Sequence, residues 1–337
     1  MCWAGRYFRQ ISLGLVFLLS TSLGYAQGKG PNIWEARLND FEDEGYVQAV
    51  AALFSGFEDQ SARLSPGETG RVGIKVYTSS GPGLSTPLPL VRAVIHVLEQ
   101  RGFKRENLFI LGLEEHLLRE AGFLPKLSAG WADFEGVPVY ALSSGEYWNP
   151  VWYYESALPS TLSDSTAIKE RLGDDRNSLL PMPLLQGIDF WINLPMVTVS
   201  DAFGVSGALA NPTVWAISNN QRFLRSPHNA PMAIAEIAAI PELQSGWIFT
   251  IMTLERYQFM VGPQFNALYT HAEHLLWLSA SAAALDYAAL ARVNTARKKL
   301  KFYPLPNTLP VLEYTRALGL GNYRNPQWIR KDLAQSD

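Results

Sequence analysis

Cysteine is nearly missing from this chain of 337 residues, with Cys2 the sole example. Cys2 lies in a stretch that reads as a removable export signal, so the mature protein is expected to hold no thiol. That excludes disulfides, a cysteine-bound metal and a cysteine-ligated iron–sulfur cluster, and leaves any other cofactor open. Charge is also sparse, at 18% of residues, with a formal net charge of −3. The lone basic run is Arg297-Lys-Lys-Leu-Lys301, at the end of a helical pattern where cations complement the helix dipole, so nucleic acid is not an expected partner. No GxSxG elbow, HExxH zinc motif, dinucleotide fingerprint or P-loop occurs. Beyond the N-terminus, no hydrophobic run is long and uncharged enough to span a bilayer.

What is present begins with that N-terminus. Met1 to Gln10 carries Arg6 and Arg9 and no acid, Ile11 to Leu23 is apolar, and Gly24-Tyr25-Ala26 supplies small residues. Basic, apolar and small segments in this order are the parts of a secretory signal, with cleavage expected after Ala26. The apolar run falls short of the roughly 20 residues of a membrane anchor. The two arginines are not adjacent, which favours the general secretory route and a periplasmic or extracellular location. Loss of two arginines and no acid takes the net charge to −5. The remaining chain is long enough to bury a large core without crosslinks.

The expected fold is α/β: one main domain of three layers, with a mostly parallel sheet and helices on both faces. Asn32 to Leu53 reads as amphipathic helix within an N-terminal helical segment, 27–71. Val72 to Thr78 is a β-branched strand, Ser79 to Thr86 a turn-rich loop, and Pro87 to Gln100 an apolar-periodic helix with Thr86 as its N-cap. Asn107 to Leu113 is the next strand, which completes a βαβ unit and implies a covered parallel sheet. Further strands are expected at Val137–Leu142, Asp189–Pro195, Trp247–Leu254 and His274–Ser279. Helices are expected at Glu114–Ala121, Ala230–Ala239 and from the alanine-rich segment to Leu300. The α/β domain is expected over 72–320, with an insertion near 145–180 and a C-terminal tail over 321–337.

In open α/β sheets, ligands bind beyond the carboxyl ends of strands. Two loops meet that condition. The first follows a strand that carries Lys75, and offers Ser79, Ser80, Gly81, Gly83, Ser85 and Thr86 to an anion. The alternative is a plain βα turn whose glycines and hydroxyls serve geometry and capping. The second follows Pro195 and holds Asp201, Gly204, Ser206, Gly207 and Asn211, with Asn219, Asn220, Arg222, Arg225 and His228 close behind. Asn and Arg at this density recognise a polyfunctional ligand, or else satisfy buried loop backbone. His271 and His274 have a spacing compatible with metal ligands but lead into a strand, so no metal site is expected. The aromatic stretch Tyr147–Tyr154 either stacks rings or packs an insertion onto the sheet.

The stretches GIKVYTSSGPGLSTPLPLVRAVIHVLEQRGF, FWINLPMVTVSDAFGVSGALANPTVWAISNNQRF and HLLWLSASAAALD resemble the domain-of-unknown-function family numbered 362. The resemblance extends over most of the mature chain. It implies an α/β fold, and supplies no reaction. The departures from the family are informative. Thr198 and Ser200 stand where the family commonly has lysine and histidine, and Ala210 stands for a lysine before the retained Asn211. Thr253 stands for an aspartate, and Ser281-Ala282 for an Asp-Pro pair ahead of the retained Asp286. Each change removes a group able to bind metal, move protons or pair with an anion.

Three readings result. The first is a degenerate family member that binds a small anionic ligand, or acts as an accessory protein, through Lys75, the Ser79–Thr86 loop and the Asn211–Arg222 segment. The second is an active enzyme of unknown reaction that works with Lys75, Asp201, His228 and Asp286, in which Lys75 pairs with Asp201 or Asp286. The third is a structural or interaction protein whose pocket is filled by Phe203, Trp215 and other aromatics.

Overall fold

Val72-Gly-Ile-Lys-Val76 lies between two other apolar runs and pairs with both in parallel, which sets the frame of the molecule. The computed structural model describes residues 30–125, 133–158 and 176–331. Its strands are β1 (Asn32–Arg37), β2 (Val72–Val76), β3 (Leu108–Gly112), β4 (Asp133–Phe134), β5 (Val137–Ala141), β6 (Trp148–Glu155) and β7 (Asn177–Pro181). They continue as β8 (Phe190–Leu194), β9 (Thr198–Ser200), β10 (Gly204–Ser206), β11 (Trp247–Thr253), β12 (Tyr257–Gln258), β13 (Thr270–His271), β14 (Leu275–Ser279) and β15 (Gln327–Lys331).

Nine strands form one sheet in the order β15-β1-β14-β11-β8-β2-β3-β5-β4. The run β11-β8-β2-β3-β5 is parallel throughout, while β14 is antiparallel to both of its neighbours. From β2 the chain adds β3 and β5 on one side and β8 and β11 on the other, so the strand order reverses between β2 and β8.

Each face of the sheet is covered, because alternate residues along buried strands need an apolar partner on both sides. Val72, Ile74 and Val76 join Ile110, Ile192 and Ile251 under the helices Asp43–Glu58 and Leu88–Glu99. On the other face, Leu111, Trp191, Met252 and Trp277 meet the helices Ala230–Ala238 and Ala282–Lys299. Each large side chain fully buried here contributes about 1.5–3 kcal/mol. The α/β class and the three layers are therefore as the sequence indicates. Among the described residues, no helix is long and apolar enough to cross a membrane.

Several local expectations are corrected. Asn32–Arg37 is a strand, and the helix begins only at Asp43, where Asp43 and Glu44 favour its first turn. β1 lies between β14 and β15 and is covered on both faces, so no clean two-residue alternation marks it. The C-terminal tail is likewise not free of the sheet, since β15 pairs in parallel with β1 and forms its edge. Pro87, not Thr86, precedes the first helical residue of Leu88–Glu99, and no side chain caps it. His271 lies on β13 and His274 just before β14, so they do not share a helix face. The aromatic stretch Trp148–Glu155 is a strand that pairs with β7 in a separate antiparallel ribbon. Residues 159–175 of the expected insertion lie outside the described residues, as does the export segment.

The hairpin β9–β10 turns through Gly204, whose φ is +86°. A Cβ there would also meet Leu309 Cδ2 at 2.5 Å. Gly204→Ala is expected to lose about 1–3 kcal/mol through backbone strain alone. The check is a lower urea midpoint at unchanged slope.

Candidate functional site

A polar rung crosses the apolar sheet. Lys75 on β2, Asn193 on β8, Thr250 on β11 and Ser279 on β14 stand side by side in register. All four are buried. A polar group in such a place must find a hydrogen bond or cost several kcal/mol. Lys75 Nζ donates to Val76 O at 2.7 Å and to Asn211 Oδ1 at 3.0 Å. Asn211 Nδ2 donates to Asn193 Oδ1 at 2.8 Å. Asn193 Nδ2 donates to Ala208 O and Thr250 Oγ1, and Thr250 Oγ1 also accepts from Trp247 Nε1. The loop after β10 is thus fastened to the sheet by side chains from two strands, Lys75 of β2 and Asn193 of β8, with Thr250 of β11 holding Asn193 in place.

Asp286 fastens the same loop from above. Its carboxyl accepts Ala208 N at 2.6 Å and Leu209 N at 3.0 Å. The approach is so close that a Cβ on Gly207 would sit 2.3 Å from Asp286 Oδ1, which explains glycine at that position. Burial raises the Asp286 carboxyl to about 7 against the relief from those two N–H groups. Burial alone lowers the Lys75 amine to about 7. No hydrogen bond or ion pair joins Lys75 to Asp286 or Asp201 among the described residues, so the expected pairing is corrected. Asn211 was a better match to Lys75 because a buried amide accepts and donates without carrying charge.

The Ser79–Thr86 loop spends most of its hydroxyls internally. Thr86 Oγ1 donates to Leu194 O at 2.7 Å and accepts Tyr77 N at 2.8 Å. That bond closes the gap between β2 and β8, where the strand order reverses. Ser80 Oγ meets Tyr77 Oη and donates to Pro263 O, and Ser85 Oγ donates to Gly81 O. Phe265 N donates to Ser80 O, and its ring covers Gly83. Tyr77 meets Trp215 edge-on at 5.9 Å, and Trp215 Nε1 donates to Ser206 Oγ. Phe203 and Trp215 are buried.

Open space remains one strand over. A cleft of about 720 Å³ lies beyond the carboxyl ends of β2 and β3. Ser79 and Gly81 form one wall, Leu113 to Glu120 another, and Trp215, Gln221, Leu224, Arg225, Pro263 and Gln264 the rest. The side chains of Glu114, His116, Glu120, Gln221, Arg225 and Gln264 make no hydrogen bond or ion pair to any described residue. Beneath them nearly every polar group is paired. A rigid, satisfied floor under a rim of uncommitted polar groups is the arrangement of a binding cleft.

Comparison with known proteins leaves this geometry to speak for itself. No protein-family model matches the chain, and neither does any curated protein. Among solved structures it is similar to a protein from Thermotoga maritima, a structural-genomics target, at 12% identity and a TM-score of 0.41. The match covers 77% of this chain and 59% of that one.

The sequence-derived site residues are therefore divided among several roles. Ser79, Gly81 and Arg225 line the cleft. Lys75, Ser80, Thr86, Ser206, Gly207, Asn211 and Asp286 build its foundation. Gly83, Ser85 and Gly204 shape turns, and Asn219 takes a positive φ of 53°. Asn220 Nδ2 donates to Val214 O. Arg222 reaches Leu158 O, Arg176 O and Ser178 Oγ, and so anchors the β6–β7 ribbon. Asp201 and His228 are exposed, and the structure does not bring them to Lys75 or Asp286. Sequence reading missed Asn193, Thr250 and the cleft groups Glu114, His116 and Glu120 as members of one site. Asn193 carried a readable signal, a lone amide in the apolar run Phe190–Leu194.

Proposed function

We propose that this chain is an exported, divergent relative of the domain-of-unknown-function family numbered 362 that serves as a binding or accessory protein. A small polar ligand occupies the cleft above β2 and β3. The observation that carries this reading is the contrast between the paired floor and the unpaired rim. Arg225, Ser79 Oγ and the backbone at Gly81 suit an anionic group of the ligand. Glu114 and Glu120 suit donors or a cationic group at its other end, so the ligand is anionic in part and not throughout. Leu113, Leu117 and Leu224 supply an apolar wall.

The losses of family Lys, His and Asp positions support binding over catalysis. So does the dispersal of Lys75, Asp201, His228 and Asp286, which leaves an enzyme built on those four without a reacting centre. The burial of Phe203 and Trp215 favours, as a second reading, a structural or interaction protein.

Native mass spectrometry of the protein purified gently from its host, with elemental analysis, separates these readings. A stoichiometric extra mass is expected. Arg225→Ala and Glu120→Gln should each weaken its retention about tenfold, the worth of one charge-assisted hydrogen bond. A bare polypeptide whose melting temperature no small polar compound raises would move the assignment to the interaction protein.

A further inference from the structure

The helix Ala282–Lys299 and the segment after it end in Arg297, Lys298, Lys299, Leu300, Lys301, Phe302 and Tyr303. The excursion from β12 to β13 packs beside them. Arg297 bridges the two, donating to Phe259 O at 2.9 Å and to Tyr303 O at 2.7 Å. The rings of Tyr269 and Phe302 meet edge-on at 6.0 Å. One surface therefore carries both segments.

That surface combines two features. Large apolar side chains stand out from it: Leu268 is 81% exposed, Tyr303 91%, Val261 56% and Leu300 52%. Three exposed lysines, Lys298, Lys299 and Lys301, share the chain segment of Leu300 and Tyr303, and Lys298 also borders the cleft of about 820 Å³. No Asp or Glu occurs between 257 and 272 or between 293 and 312. Asp201 acts on Arg297, which lies inward of the three lysines. The chain as a whole is negative, so the local excess of cations is specific to this surface.

We infer that this surface docks the protein peripherally on an anionic phospholipid bilayer. Lysines attract the headgroups, and the protruding Leu268, Leu300 and Tyr303 enter the boundary between headgroups and acyl chains. Leu268 lies on a 3-10 turn, Leu300 caps the helix Ala282–Lys299 and Tyr303 follows it, and none of the three lines either open cleft, of about 820 and 720 Å³. Projecting side chains accompanied by cations suit a soft, deformable surface. A folded protein partner would need a recess, or a flat patch, to enclose such anchors. Tyrosine is also at home at the headgroup level.

Sedimentation with phospholipid vesicles tests the inference. Wild type is expected to bind phosphatidylcholine vesicles containing about a third phosphatidylglycerol, and to remain free of pure phosphatidylcholine vesicles. Each lysine near such a surface is worth about fivefold in partitioning, so the Lys298→Glu, Lys299→Glu, Lys301→Glu variant should lose about 100-fold or more. Leu268→Ser with Tyr303→Ser should lose about tenfold, and raised salt should weaken wild type but not the charge variant. All variants keep the wild-type N-terminus, so any difference belongs to this surface, and matching thermal melts establish that they fold. Equal binding of wild type and the charge variant, equal binding to neutral vesicles, or no binding at all would overturn it. Capture by a soluble acidic polypeptide without vesicle binding would overturn it in favour of a protein partner. None of these outcomes depends on the cleft or its ligand.

Discussion

Asp286→Ala is expected to destabilise the protein by about 3–5 kcal/mol, since two buried N–H groups lose their acceptor and a cavity is left. Ala208 N and Leu209 N both point at this carboxyl, and neither has another acceptor among the described residues. Asp286→Asn should cost less, because one amide oxygen remains while the amide NH2 faces a donor. The sign of the pH dependence follows from the direction of the shift. Burial raises the folded-state value from 3.8 to about 7. The folded protein therefore binds the extra proton between those values, and the contribution of Asp286 is fully present below 3.8 and lost as pH rises through 7. The span is on the order of 4 kcal/mol, at 1.36 kcal/mol per unit. Urea unfolding across pH 4 to 7 should show wild type losing stability with a slope that Asp286→Asn removes. Parallel profiles for the two proteins would show that Asp286 keeps an ordinary carboxylic acidity and that its loop contact is not protonation-linked.

The parts of this architecture legible in the sequence are those where one physical signal dominates. The unit from Val72 to Leu113 was readable because β-branched strands, a glycine-rich turn and a period of 3.6 follow one another without interruption. The strands Phe190–Leu194 and Leu275–Ser279 were readable from short apolar runs with sharp ends. β1 and β15 were not, because strands taken into a sheet by neighbours far away in sequence need no strong local pattern. The same limit governs the site. Lys75 stands out as a charge in an apolar strand, but its partner, the amide of Asn211 and not a carboxylate, lies 136 residues away. Asn193 and Thr250 acquire meaning only once register places them beside Lys75. Arg222 looked like a ligand-binding cation, yet it caps carbonyls of a ribbon whose position no local pattern encodes. The rim of the cleft is drawn from four separate segments, so its composition is a property of topology.

Lys75→Met should give the mirror image of the Asp286 result and separates a structural amine from a catalytic one. Burial lowers the folded-state amine from 10.5 to about 7, so between these values the unfolded chain binds the extra proton. The stabilising contribution is fully present above 10.5 and lost as pH falls through 7. The swing is on the order of 5 kcal/mol. Methionine removes that swing, but it also leaves Asn211 Oδ1 and Val76 O without their donor, at about 1–3 kcal/mol for each. The variant should therefore be clearly less stable than wild type near pH 10 and should draw level with it towards pH 7. Lys75→Arg offers a control, because guanidinium stays charged throughout this range and a buried cation would then be carried at every pH. Wild type, with Asp286 losing its contribution up to pH 7 and Lys75 gaining above it, should show a stability minimum near neutrality, on the order of 4 kcal/mol deep from these two groups. A neutral amine has two N–H donors, and Lys75 has two acceptors. That match accounts for a lysine at this position as a hydrogen-bonding element of the sheet, which fixes the loop beside the cleft without meeting the ligand. Should Lys75→Met keep the pH dependence of wild type, the amine would have to be charged in the folded state, and an anion reaching it from the cleft would become the required explanation.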